Sequence, residues 1–104
     1  MRLRRDPFRD VIARQLDLFV EDEADLLEEC HEKYELYGQA PRENAEEAYG
    51  DFVDTVETAT EALADMRDRF ARTLGEDAAE VYEHAFNRAV RKRWPELGLE
   101  IENR

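Results

Sequence analysis

Between Ala45 and Leu74 the chain places apolar residues at Ala45, Tyr49, Phe52, Val56, Ala59, Leu63, Met66, Phe70 and Leu74. The steps alternate four and three and end on two steps of four. That rhythm keeps one side of an α-helix apolar for about eight turns. A second stripe runs through Phe8, Ile12, Leu16, Phe19, Glu23, Leu26, Cys30 and Tyr37. Folded antiparallel about Gly38–Arg42, the stripes match along their length. Phe8 then meets Leu74, Ile12 meets Phe70, Leu16 meets Met66 and Phe19 meets Leu63. Further out, Leu26 meets Val56, Cys30 meets Phe52 and Tyr37 meets Ala45. Two matched stripes predict an all-α fold built on one long antiparallel hairpin, with arms at about 7–37 and 43–74.

Helix-breaking residues support these limits. Apart from Pro7 and Gly50, they fall in Gly38-Gln-Ala-Pro41, Gly75-Glu-Asp77 and Pro95-Glu-Leu-Gly98. Asp6 is a helix N-cap with Pro7 at the first helical position. Gly38 is a left-handed C-cap, and Gly75 stops the second arm. The sequence leaves a break within Glu21–Asp25 open, with Asp22 as the capping residue. A shorter third helix, about 78–94, carries Val81, Tyr82, Ala85, Phe86, Ala89, Val90 and Trp94. It covers roughly half of a hairpin arm and belongs at the end where the chain termini meet. Leu97, Leu99 and Ile101 alternate, which predicts an extended tail over 95–104. With 104 residues and no internal repeat, residues 1–104 read as a single helical domain.

The far end of such a hairpin is two helices without a third. Its first arm carries a further apolar row there, Val20, Leu27 and Tyr34, which predicts an oligomer interface. A second copy or a helical protein partner would complete a four-helix bundle. Glu23 stands in the seam opposite Ala59. It is either a carboxylate at the bundle edge or a polar residue that sets register.

Charge is unevenly placed. The formal net charge is −12, but Asp17–Asp65 holds 17 acidic and two basic residues. That span contributes −15 and the remainder +3. Arg2, Arg4, Arg5, Arg9, Arg14, Arg67, Arg69, Arg72, Arg88, Arg91, Lys92 and Arg93 gather at the three-helix end. An acidic surface repels nucleic-acid phosphates, so nucleic-acid binding is excluded at the tip and less firmly at the basic end. No apolar run is long enough to span a bilayer, and none follows the basic start as a secretory signal would require. The expectation is a cytoplasmic protein without a membrane role. Cys30 is the one cysteine, so no internal disulfide forms.

Three carboxylate clusters lie on the helices: Glu21, Asp22 and Asp25; Glu28, Glu29 and Glu32; Asp51, Asp54, Glu57 and Glu61. In the hairpin register Glu28 faces Asp54 and Asp25 faces Glu57. Carboxylates converging from two helices suit a hard ion such as Mg²⁺. Pointing outward, they are a solvated face.

Glu28-Glu29-Cys30-His31-Glu32 fits an E-E-x-x-E motif, and Glu21-Asp22-Glu23-Ala24-Asp25 fits it with two Asp substitutions. In this the chain resembles the all-α, MazG-like nucleoside-triphosphate pyrophosphohydrolases. Their second motif, E-x-x-D, is imperfect: Glu47–Asp51 has one residue too many, and Asp51–Asp54 has Asp for Glu. The basic run Asn87–Pro95 is similar to that family's C-terminal end. The resemblance implies Mg²⁺ held among Glu21, Asp22, Asp25, Glu28, Glu29, Glu32, Asp51 and Asp54, with Arg91, Lys92 and Arg93 on substrate phosphates. Glu28 and His31 also look like a fragment of the E-x-x-H pairs of ferritin-like di-iron bundles. His31 and His84 otherwise read as surface residues, and Cys30 as a small core residue.

The leading expectation is a non-catalytic, self-associating helical-bundle interaction module with an acidic hairpin tip, needing no cofactor. The alternatives are the Mg²⁺-dependent pyrophosphohydrolase and, behind it, the di-iron bundle.

Overall fold

A computed structural model describes residues 6–104. Arg2, Arg4 and Arg5 of the basic set lie outside the described residues, as does the side chain of Leu99. Five α-helices follow in order: α1 (Arg9–Asp22), α2 (Ala24–Gln39), α3 (Ala45–Ala71), α4 (Glu76–Arg93) and α5 (Gly98–Glu102). Single 3₁₀ turns precede α3 (Arg42–Asn44) and α5 (Pro95–Leu97). No strand occurs among the described residues, and the predicted all-α bundle is what forms.

Asp6 is not the N-cap of α1: Phe8 stands at that position without a side-chain capping bond, and Asp6 instead closes the turn before it. Its Oδ1 accepts the Phe8 N–H at 3.0 Å, and its carbonyl accepts the Arg9 N–H at 3.2 Å. The helix proper therefore starts two residues beyond Pro7. The first arm of the hairpin is interrupted at Glu23 (φ −118°, ψ 33°), inside the segment where a break had been left open. Asp22 is not the cap: Glu23 occupies that position and makes no side-chain capping bond. No Gly or Pro is involved. The run Glu21-Asp22-Glu23-Ala24-Asp25 concentrates like charge and includes two weak helix formers, Asp22 and Asp25, and the two halves of the arm have different neighbours. α1 lies closest to α4, whereas α2 lies closest to α3.

The break shifts the register on either side of it. Phe8 meets Phe70 and Tyr82, with ring centroids 6.5 and 5.4 Å apart. At the other end, the Cys30 thiol meets the Thr55 carbonyl at 3.4 Å, and Tyr37 meets Tyr49 at 5.2 Å. The pairing is displaced by about one helical turn from that of an unbroken arm.

Two glycine assignments are corrected. Gly38 lies inside α2, and no described glycine has positive φ. The helix runs on to Gln39 and is ended by Pro41, which forces Ala40 to be extended (ψ 136°). Gly75 is likewise extended and is the N-cap of α4.

α4 packs on α1 and the second half of α3, at the base of the molecule. Its charges follow its dipole: Glu76 and Asp77 open it, and Arg91, Lys92 and Arg93 close it. Tyr82, Ala85, Phe86 and Val90 are buried as expected, but Val81 is exposed. The tail is not extended. Leu97 and Ile101, four residues apart, share one face of a 3₁₀–α segment and are buried. An alternating pattern and a helical one both repeat at four, and packing selects the helix. Gly98 is tight for a reason: a Cβ there would lie 2.7 Å from Cγ of Arg91.

The core runs through Ile12, Leu16, Phe19, Val56, Ala59, Leu63, Tyr82, Phe86, Val90, Leu97 and Ile101. It is concentrated where α1, α3, α4 and α5 meet. The particle measures 56 × 30 × 24 Å, and its long dimension reflects the α2–α3 arm. No described helix is long and apolar enough to cross a membrane.

Candidate interaction surface

The outer end of the α2–α3 arm is made of aromatic rings. Tyr34 lies 5.3 Å from Phe52, Tyr37 lies 6.4 Å from Phe52 in a stacked arrangement, and Tyr37 lies 5.2 Å from Tyr49. Tyr34, Tyr37 and Tyr49 are nevertheless 54%, 38% and 50% exposed. Phe52 is half-buried beneath them. This cluster forms because two helices alone can seal only the narrow strip between them. Cys30 is sealed by that strip. Burial pushes its thiol up from the usual cysteine range, and the thiol donates a hydrogen bond to the Thr55 carbonyl.

Of the predicted interface row, Tyr34 is exposed, while Leu27 and Val20 are half-buried. Leu27 belongs to the apolar cluster. The row is therefore exposed at its outer end, where Tyr37 and Tyr49 extend it. The sequence places Tyr37 and Tyr49 in the seam, and among the described residues no third helix covers them there.

The predicted metal ligands are placed less favourably. Glu21 and Asp22 end α1, Asp25 begins α2, and Glu28, Glu29 and Glu32 follow in α2; Asp51 and Asp54 lie in α3. All eight are exposed. Among the described residues, no three His, Cys, Asp or Glu side chains gather as a metal-holding group. Glu28 has no E-x-x-H complement beside it, and exposed His31 faces Glu35 at 3.6 Å. Glu23 is half-buried at the break, beside a cavity of about 210 Å³ shared with Phe19, Ala62 and Met66.

The predicted phosphate contacts already have protein partners in part. Arg91 pairs with Glu102, and Arg93 reaches Asp17 at 3.1 Å while its guanidinium sits 5.2 Å from the Trp94 ring centre. Lys92 is exposed at the edge of a groove between α1 and α4. Ile12, Ala13, Leu16, Ala85 and Ala89 floor that groove, a cavity of about 270 Å³, with Arg9 and Lys92 on its rim.

Sequence reasoning missed Arg67 as a structural residue. It is 4% exposed and holds four acceptors: Asp68 at 2.8 Å, Asn87 at 2.9 Å, and the carbonyls of Ile101 and Arg104 at 3.3 and 2.9 Å. Its four-residue spacing from Leu63 was the available signal. Comparison with protein-family models, curated proteins and solved structures gives no match.

Proposed function

We propose that the protein is a non-catalytic interaction module that self-associates, with a second copy covering the tip of its α2–α3 arm. The observation that carries this reading is the Tyr34–Tyr37–Tyr49 cluster. Tyr37 packs on Tyr49 and Phe52, and Tyr34 on Phe52, yet the three tyrosines keep 38–54% of their surface in water. Tyrosine suits this place, because its ring is buried by a partner while its hydroxyl stays hydrated at the rim.

A second copy supplies the two helices that a two-helix arm lacks, and four helices can enclose a core where two cannot. Light scattering over a dilution series tests the reading. The expected mass is twice the 12.3 kDa of one chain, falling on dilution. A constant single-chain mass at high concentration contradicts it.

A further inference from the structure

We infer that the acidic aromatic tip of one copy docks in the α1–α4 groove of a second, antiparallel copy, so that a two-fold dimer contains two such contacts. This inference rests on the self-association just proposed and names the surface that receives the tip.

Three features of the groove fit the tip. Its floor is apolar, and Ala13, Ala85 and Ala89 stand where larger residues would fill it, leaving about 270 Å³ open. The tip offers what such a floor lacks, large rings exposed at Tyr34, Tyr37 and Tyr49. The rim carries Arg9, Lys92 and Arg93 against one carboxylate, Asp6; Arg93 reaches Asp17, while Arg9 and Lys92 engage in no ion pair among the described residues. The arm is the opposite: from Ala24 to Val56 it carries ten acidic residues against two basic ones, Lys33 and Arg42.

Charge also decides against the simpler alternative. Tip-to-tip association would press two strongly acidic arms together, and like charges at contact cost free energy at every close pair. Antiparallel docking sets acid against base at both ends. The groove runs along Arg9–Leu16 of α1 and Ala85–Arg93 of α4, about 12–14 Å of helix, and so receives the ring-bearing end of the arm, where α2 and α3 of one copy join α1 and α4 of the other in a four-helix layer. Because each copy gives a tip and a groove, the arrangement closes on itself and does not propagate.

The chain has only two lysines, and they mark the two surfaces: Lys33 in α2 and Lys92 on the groove rim. Heavy- and light-isotope copies are mixed, equilibrated and treated with a short amine-reactive cross-linker, and the links between heavy and light chains are mapped. Lys33–Lys92 links are expected. A predominance of Lys33–Lys33 links, the tip-to-tip pattern, or of Lys92–Lys92 links would overturn the inference. A single-chain mass with no heavy–light link removes self-association itself, a separate failure. The double variant Arg9→Glu/Lys92→Glu gives a second readout, with helicity checked by circular dichroism. Its dimer is expected to dissociate at least tenfold more readily, and an unchanged dissociation constant contradicts the docking. Added salt is expected to weaken the wild-type dimer; tip-to-tip association would be strengthened by it.

Discussion

The guanidinium of Arg67 donates a hydrogen bond to the carbonyl oxygen of Ile101 at 3.3 Å, and the Ile101 side chain is itself fully buried. One buried cation thus anchors the segment that closes the base of the bundle. The same guanidinium reaches Asn87 in α4, so α3, α4 and α5 are joined through one side chain. Arg67→Ala strands these acceptors away from water, at about 1–3 kcal/mol for each buried group left unpaired. The expected loss is about 2–4 kcal/mol in urea denaturation. Hydrogen exchange is expected to show the greatest local gain in opening over 98–102.

Tyr82 makes stability depend on alkaline pH. Its hydroxyl donates to Oε1 of Gln15 at 2.9 Å, and burial pushes its pKa up to about 12. The folded state therefore favours the neutral phenol more than the unfolded chain does. Below about pH 10 this contribution is fully present, and it is lost as pH rises from about 10 to about 12. Denaturation midpoints measured across that window are expected to fall with pH. Tyr82→Phe is expected to flatten that part of the profile.

The Cys30 thiol reports opening of the α2–α3 arm. It is 4% exposed, and its pKa is raised by burial. A thiol reagent is expected to modify it slowly in the folded protein and rapidly in denaturant. Fast modification of the folded protein would show that the arm opens freely.

The carboxylates are expected to behave as a solvated acidic surface. Calorimetric titration with Mg²⁺ should give no stoichiometric, tight event, and nucleoside triphosphates with Mg²⁺ should not turn over. Either result in the opposite sense would favour the pyrophosphohydrolase reading, with Glu28, Glu29, Glu32 and the Asp51–Asp54 pair as the first substitutions to make.

The helices were legible because apolar spacing is local. Phe52, Val56, Ala59 and Leu63 lie on a buried face at the spacing the stripe predicts. The break at Glu23 was visible only as an option, since neither Gly nor Pro marks it; it depends on α1 following α4 while α2 follows α3. Gly38 misled because Pro41, three residues on, ends the helix first. Leu97 and Ile101 misled because a spacing of four belongs to both strand and helix. Among the exposed rings of the arm, Tyr34 was legible from its own row. Tyr37 and Tyr49 were not, because their exposure depends on where α4 and α5 stop covering the arm.

The most direct test of the central claim is sedimentation velocity of the wild type beside Tyr34→Ser/Tyr49→Ser. Both substitutions remove exposed rings, so the variant should keep its helical spectrum. The account predicts a wild-type dimer and a folded, monomeric variant at the same concentration. A wild type that sediments as a monomer, or a variant that dimerises as tightly as the wild type, would contradict it.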